Sequence, residues 1–448
     1  MPPPATLIHT HAAILSIGDE LTRGQILDTN SRLISQMLMD AGVEPVEHVT
    51  IGDSRAHTAD AIRRLAQMAP LVIISGGLGP TLDDLTRDAL ADVLGEALVE
   101  DPDALRDLEA LFTRRGRVLN VMQRLQSLRP PSARCISNAL GTAPGLWARV
   151  GGADVFCLPG PPGELQPMLA SAVLPAINTE RGVLVRTKTL HVIGLGEGEA
   201  AARVGDLMKR DRNPLVGITA SGLLLTWRIR YRGRAGSEEA AAEVESTAQA
   251  IRAAMEECVF AEDVPAAAVE FALPASVLAR LGGRGGTLAT VESCTGGMLG
   301  AMLTGVPGSS RVYLGGLVTY ANQVKESLAG VRSETLLAQG AVSSATAAQM
   351  AMGGLEAIGS THALAITGIA GPGGATPDKP VGTVHIGLAI RGGAGQPEVH
   401  TRRFQFPGSR EEVRQRAARS ALGMLHFAMC GSAASARRML FEQALPQV

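Results

Sequence analysis

Aromatic side chains are scarce in this chain, with 2 Trp, 3 Tyr and 8 Phe among 448 residues. A surface that stacks nucleic-acid bases is therefore not expected. Neither sign of charge is in surplus, since 41 basic and 43 acidic residues leave a formal −2. A protein that grips phosphate backbones needs a basic excess somewhere, so direct nucleic-acid binding is not expected either. Cysteine is sparse: Cys135, Cys157, Cys258, Cys294 and Cys430 are scattered, with no CxxC pair. That pattern is neither a disulfide framework nor a zinc site, and it fits a reducing cytoplasm. Apolar runs such as residues 71–75 are far too short to cross a bilayer, and no membrane partner is expected. The N-terminal stretch MPPPATLIHTHAAILSIGDE lacks the basic region and long apolar run of a signal peptide. A Walker phosphate loop with its Gly-Lys-Ser/Thr ending is also missing, which excludes that type of nucleotidase.

What remains is a chain of ordinary apolar content (46%) that is unusually rich in glycine (52 residues). It predicts a globular protein with many tight turns and backbone-lined loops. The length suggests about three domains, read as residues 1–179, 180–264 and 265–448. In the first, residues 13–17 and 71–75 read as buried strands. Residues 30–41 and 58–68 read as helices, with Gly42 stopping the former. Strand, helix, strand at these lengths implies parallel βαβ units in an α/β sheet. From Arg181 the character changes to a small α+β module, with strands at 188–193 and 223–231 and a helix at 237–258. The second strand alternates polar and apolar residues, as a half-solvated sheet face requires. Its Gly194-Leu-Gly-Glu-Gly198 run reads as a strand-to-helix turn, and no GxxG loop of the RNA-clamping type follows. The last third returns to α/β logic, with strands at 287–292, 312–320, 363–367 and 383–390. A helix spans 343–358, and a final one opens on the capping box Ser409-Arg-Glu-Glu412. The fold class is thus α/β, with two three-layer α/β domains joined by a small α+β module.

Two clusters carry candidate chemistry. In the first, Ser75-Gly-Gly-Leu-Gly-Pro-Thr-Leu-Asp-Asp84 leaves a buried strand and opens a helix, with Thr81 and Asp84 as a T-x-x-D cap. Glycines admit a ligand close to the backbone, and amides at a helix start favour anions. Gly18-Asp19-Glu20 and Asp28-Thr-Asn-Ser31 close other apolar runs, and such ends gather along one edge of an open parallel sheet. Four carboxylates there could hold a hard divalent cation. In the second cluster, Ser293 sits where a strand hands over to a glycine-rich turn whose amides could stabilise an oxyanion. Lys325 is one of only four lysines, the others being Lys188, Lys209 and Lys379. Arginine cannot give up its proton, whereas a buried lysine can serve as the base for a serine. Chemistry alone leaves open that Lys325 is a surface residue. Cys294, without a His/Asn partner pattern, reads as a small buried residue.

These motifs also carry a resemblance. ISIGDELTRGQILDTNS, SGGLGPTLDDLTRDAL, GTAPG and LPGPPGE look like the MoaB/MogA-like molybdopterin-binding domain as it occurs in the CinA (competence/damage-inducible) family. The resemblance implies metal-dependent hydrolysis of ADP-ribose to AMP and ribose 5-phosphate. It implies that Asn30, Ser31, Gly76, Gly77, Gly79 and Thr81 bind the ligand, and that Asp19, Glu20, Asp83 and Asp84 hold Mg, Mn or Co. The family's Asn-x-x-Gln is altered here, with Gln123 where asparagine is expected and Gln126 matching. The middle third is similar to that family's KH-type module in length and order. TVESCTGG, VPGSSRVYLGGLVTYANQVK, ITGIAGPGGATPDKPVGTVHIGLA and the terminal GSR-x-x-x-R helix resemble its C-terminal, PncC-type domain, a nicotinamide mononucleotide (NMN) deamidase. By motif position that implies Ser293 as nucleophile, Lys325 as base and Tyr320 as an assisting hydroxyl, with no cofactor. Ser310, Thr367, Gly368 and Arg410 would contact the nucleotide. A cytoplasmic homodimer acting on NMN and ADP-ribose is expected. The alternative reading is a competence or DNA-damage regulator whose first domain binds a pterin or nucleotide without hydrolysis.

Overall fold

The computed structural model describes residues 7–179, 183–234, 236–392, 396–431 and 437–444. Residues 1–6 of the stretch read as lacking a signal peptide, and the expected domain junction at 180 with Arg181, lie outside them. The chain divides into two compact units, residues 1–185 with 232–237 and residues 186–231 with 238–448.

In the first unit, β1 (His11–Ile17), α1 (Thr29–Asp40), β2 (Glu44–Ile51), α2 (Arg55–Met68) and β3 (Leu71–Ser75) follow the expected alternation. Then come α3 (Thr86–Leu94), α4 (Pro102–Arg114), β4 (Arg134–Ile136), β5 (Gly145–Val150), β6 (Ala153–Leu158) and α5 (Pro162–Met168). The sheet order is β2-β1-β3-β6-β5-β4. Its two faces are both buried, which is why β1 and β3 are continuous apolar runs. Ala13, Leu15, Val72 and Ile74 pack with Ile62 and Leu65 of α2, whereas Ala12, Ile14, Leu71 and Ile73 pack with Ile34, Leu38 and Leu165 on the opposite side. Each fully buried Val, Leu or Ile among them contributes about 1.5–3 kcal/mol. The expected parallel pairing joins β2, β1, β3 and β6; beyond them β5 pairs antiparallel with β6 and β4 antiparallel with β5, so β5 is the reversed strand. The two-residue turn Gly151-Gly152 permits only a hairpin between β5 and β6.

The T-x-x-D helix cap is corrected as well. The helix after the glycine loop starts at Thr86 without a side-chain cap. Thr81 N–H donates to Asp84 (2.9 Å) and Asp84 N–H returns to Thr81 O (3.1 Å), so the pair closes its own turn. Glycine is obligatory at Gly76 and Gly77, where φ is +105° and +67°. A Cβ would stand 2.4 Å from Ile17 O at the first and 2.2 Å from Thr86 Oγ1 at the second.

In the second unit, β7 (Leu184–Ile193), α6 (Glu197–Val204), β8 (Leu215–Ser221), β9 (Leu224–Gly233), α7 (Ser237–Met255) and β10 (Val259–Glu262) form the α+β module, with sheet order β8-β9-β7-β10. Along β9, Trp227, Ile229 and Tyr231 are buried while Arg228 is exposed, which is the expected alternation. The module packs on the C-terminal third: Arg419 donates to Gly222 O (2.8 Å), and His426 Nε2 lies 2.7 Å from Glu257 O.

That third contains α8 (Ala272–Gly282), β11 (Leu288–Glu292), α9 (Met298–Thr304), β12 (Tyr313–Val318), α10 (Asn322–Ala329) and α11 (Ser333–Gln339). They are followed by α12 (Ser344–Ile358), β13 (His362–Gly368), β14 (Thr383–Ile390), β15 (Glu398–Gln405), α13 (Arg410–Cys430) and β16 (Glu442–Gln443). The order is β12-β11-β13-β14-β15-β16, parallel through β13 and antiparallel beyond it. One face carries α12, with Met350, Ala351 and Leu355 on Ala289, Val291, Ala363 and Ala365. The helix α13 packs on β13 and β14. Strands β2, β4, β5, β6, β8, β10, β15 and β16 lie outside those read from the sequence. β15 (EVHTRRFQ) is masked by charge, its first half alternating exposed and half-buried residues and its second half buried and half-buried ones, and β8 has a single buried residue. Among the described residues, no helix is long and apolar enough to cross a membrane.

Candidate active sites

The strand β11 is buried throughout and lies between parallel β12 and β13. It ends at Glu292, so Ser293 occupies the carboxyl edge of the sheet, pinned by its amide to Ile366 O (2.9 Å). Ser293 is 8% exposed. The helix α10 begins just beyond parallel β12, on the same edge, and turns Lys325 inward until it is only 1% exposed. Lys325 Nζ lies 3.0 Å from Ser293 Oγ, 2.8 Å from Thr319 O and 3.1 Å from Tyr320 O. Burial lowers its pKa from the ordinary lysine value. No carboxylate pairs with it among the described residues. The charged ammonium can place its three N–H bonds on these three oxygens, and the neutral amine keeps two for the backbone carbonyls and a lone pair for the serine hydroxyl. The surface alternative for Lys325 is thereby excluded. Cys294 is buried and its thiol is pushed up to about 12, which makes it a poor nucleophile at neutral pH.

The other expected residues surround this pair in different ways. Tyr320 offers the lysine its carbonyl, while its hydroxyl, expected to assist, accepts from Arg410 Nη2 (3.0 Å) and the residue is 61% exposed. Arg410 also donates to Gly371 O (2.6 Å), so it ties the glycine loop after β13 to Tyr320. Thr367 is buried and gives its hydroxyl to Ala341 O (2.7 Å), a bond that holds the loop before α12 rather than facing open space. Gly368 is close-packed, since a Cβ there would stand 2.8 Å from Thr383 O. Ser310 is exposed in the short turn Ser309–Arg311, and among the described residues no hydrogen bond joins it to Ser293 or Lys325.

In the first unit, a cavity of about 370 Å³ opens beside the glycine loop. Glu20, Asp53, Asp83, Asp84 and Glu164 line it, with Gly76, Gly77, Gly79 and Thr81, and no lysine, arginine or histidine is among the lining residues. Asp19 is not in the lining: it pairs with Arg23 (2.5 Å) and accepts from the amide of Asp53 (3.2 Å). Asp53 takes its place. Burial, together with the negative charges of Asp19, Glu20 and Asp83, raises the Asp53 pKa, against a lowering bond from the Asp19 amide. Asn30 and Ser31 serve the framework instead of lining the cavity. Asn30 donates to Ser75 Oγ (2.8 Å) and Gly160 O (2.6 Å), and Ser31 is capped by Asp28 and lies 2.9 Å from Ser16 Oγ. Gln126 does line the cavity: it is buried, donates to Thr142 Oγ1 (3.2 Å) and has an Oε1 without a partner. Gln123, by contrast, closes a capping box with Asn120. Among the described residues, no three His, Cys, Asp or Glu side chains stand together as a metal site. The donor set is nonetheless all hard oxygen, which suits a divalent cation that takes its remaining ligands from a substrate.

Comparison with known proteins gives three matches in order along the chain. Residues 13–179 match the family described as "Probable molybdopterin binding domain", 187–261 the "Damage-inducible protein CinA KH domain", and 270–429 the "CinA C-terminal domain". A "CinA-like protein" of Geobacter sulfurreducens is 40% identical over 416 residues, covering 92% of this chain and 98% of that protein. The chain belongs to the CinA family. Another CinA-like protein, of Anaeromyxobacter sp., is 39% identical over 420 residues, covering 94% of this chain and 99% of its own length. Among solved structures, the competence/damage inducible protein CihA of Agrobacterium tumefaciens is 40% identical, covering 36% of this chain and 96% of its own, with a TM-score of 0.34.

Sequence reasoning missed Asp53, Glu164 and Glu292, which the structure of this CinA-family chain brings to the sites. Asp53 follows the end of β2, a strand whose alternating residues hide it among surface polar groups. Glu292 is 2% exposed, and its carboxylate accepts from the amides of Gly297 (3.0 Å), Leu299 (3.0 Å) and Gly300 (2.8 Å). Its signal was available: a lone carboxylate closing an apolar strand must find donors in the turn that follows.

Proposed function

We propose that the C-terminal domain is an amidohydrolase that converts NMN to nicotinic acid mononucleotide and ammonia. The observation that carries this is the buried Lys325 amine, 3.0 Å from the Ser293 hydroxyl and without a counter-charge. Ser293 Oγ attacks the carboxamide carbon as its proton passes to Lys325 Nζ. Collapse of the tetrahedral adduct breaks the C–N bond, and Lys325 returns the proton to the leaving nitrogen as ammonia. Water then adds to the Ser293 ester while Lys325 takes its proton, the C–Oγ bond breaks, and the proton goes back to Ser293. Arg410, held by Gly371 O and Tyr320, supplies a charge suited to the nucleotide phosphate. The expected substrate comes from the family resemblance, and the chemistry from the Ser–Lys geometry.

The N-terminal domain, on the same reading, hydrolyses ADP-ribose to AMP and ribose 5-phosphate. A cavity lined by five carboxylates and no cation repels a free diphosphate. A bound Mg²⁺, Mn²⁺ or Co²⁺ would neutralise the diphosphate and polarise its phosphorus–oxygen bonds. Glu20, Asp53, Asp83 and Asp84 would hold it, while Gln126 Oε1 accepts a donor of the ligand. The test is chromatography of products after separate incubations with NMN and with ADP-ribose. Ser293→Ala is expected to abolish ammonia release while AMP formation continues; loss of both activities, or of neither, defeats the two-site reading.

A further inference from the structure

The turn from Ser293 to Gly300 has eight backbone amides, and six of them have acceptors. Ser293 N–H goes to Ile366 O, Gly296 N–H to Ser293 O and Met298 N–H to Thr295 O. Gly297, Leu299 and Gly300 all go to the Glu292 carboxylate. Among the described residues the Cys294 amide meets no acceptor beyond its own sulfur and the Thr295 amide meets none, although both residues are buried, Thr295 completely. The Thr295 hydroxyl is also buried without a partner. Buried N–H groups left unpaired are rare and costly, so two in succession immediately after a nucleophile mark the position of an absent acceptor.

We propose that this acceptor is the carboxamide oxygen of the substrate, and that Glu292 is the positioning residue that keeps the Cys294 and Thr295 amides free for it. The inference rests on the amidohydrolase reading. As Ser293 Oγ bonds to the carbonyl carbon, the C=O electron pair moves to oxygen. The two amides then meet a full negative charge that the ground state lacks. Glu292 acts through the backbone. Its Oε2 takes two amides and its Oε1 a third, which ties residues 297–300 down, and its own carbonyl accepts from Thr319 N–H (2.7 Å) beside Lys325. No cation pairs with it among the described residues, so three amide donors are its compensation for burial.

Glu292→Gln tests this because the side-chain amide cannot accept at both ends. One of the three N–H groups then faces an NH₂, and the turn loses its register. The expected result is a kcat for NMN lower by about 100-fold with KM within about threefold. The pH of the acid limb should not move, and the preference for carboxamide over the thiocarboxamide analogue should shrink, because sulfur is the weaker acceptor. An unchanged kcat, an unchanged oxygen-to-sulfur preference, or a shifted acid limb overturns the proposal. Should the variant fail to fold, the wild-type protein decides through the 3-carboxaldehyde analogue of NMN with an isotope-labelled carbonyl carbon. A hemiacetal on Ser293 whose oxygen ionises below neutral pH supports the two amides as its holders. A hemiacetal that stays protonated at alkaline pH overturns the proposal and leaves the amidohydrolase reading standing. Absence of any adduct together with absence of ammonia from NMN removes that reading, and this inference with it.

Discussion

The two candidate sites are built on opposite principles. At Ser293 and Lys325 the groups are already in contact, buried and held by backbone carbonyls, so nothing further has to bind before a proton can move. Beside the glycine loop, five carboxylates line one cavity without a cation, and one of them, Asp53, is held back from ionising by burial and its acidic neighbours. The first site is assembled by folding alone. The second has no basic side chain among its lining residues. The contrast teaches that similar topology, a polar turn at the carboxyl edge of a parallel strand, can bring an amine against a hydroxyl in one domain and gather carboxylates round an open cavity in the other.

The sharpest way to break this comparison is Lys325→Met. It should reduce NMN cleavage by about 10,000-fold, as removal of a catalytic base does, with AMP formation from ADP-ribose unchanged in the same preparation. The converse experiment is removal of divalent ions with a chelator. AMP formation should fall to background and return on adding Mg²⁺ or Mn²⁺, while ammonia release from NMN continues; a chelator-insensitive AMP yield would mean that the acidic cavity works without metal. Asp53→Asn should then raise the metal concentration giving half-maximal AMP formation by about tenfold, whereas Asp19→Asn, outside the lining, should change it far less.

The smallest effect is on stability. Burial lowers the folded-state pKa of Lys325 below its ordinary value near 10.5. Between the folded pKa and 10.5 the unfolded chain binds more protons, so stability rises with pH across that window and the gain is absent below the folded pKa. Chemical denaturation over that range should show a positive slope that Lys325→Met flattens. A slope equal in both proteins would place the lysine's proton equilibrium elsewhere. The same titration sets the acid limb of kcat/KM for NMN, which should lie below the ordinary lysine value.

Much of this was readable in order of residues. The apolar runs at β1, β3, β11 and β13 announce strands buried on both faces, and the capping box at Ser409 marks the start of α13 where the structure has it. Ser293 and Lys325 were legible because each ends or follows such a run and because lysine is so rare here. Asp19 was read as a metal ligand and Asn30, Ser31 and Thr367 as ligand contacts, yet the structure engages Asp19 with Arg23, the Asn30 amide nitrogen with Gly160, Ser31 with Asp28 and Thr367 with Ala341, leaving Asn30 Oδ1 without a partner among the described residues. A linear motif reports that a polar group stands near a strand end, not which way its side chain turns.

Residue order therefore determined the periodicities, the punctuating glycines, the order of the domains and the shortage of amines that makes one lysine conspicuous. Only the packed structure decided that β5 runs against its neighbours, that Asp53 rather than Asp19 faces the acidic cavity, and that Glu292 takes three amides and leaves two. Periodicity is a property of neighbours along the chain. Side-chain direction and the choice of hydrogen-bond partner depend on groups brought together from distant segments, and burial makes those choices binding by raising the cost of an unpaired polar atom.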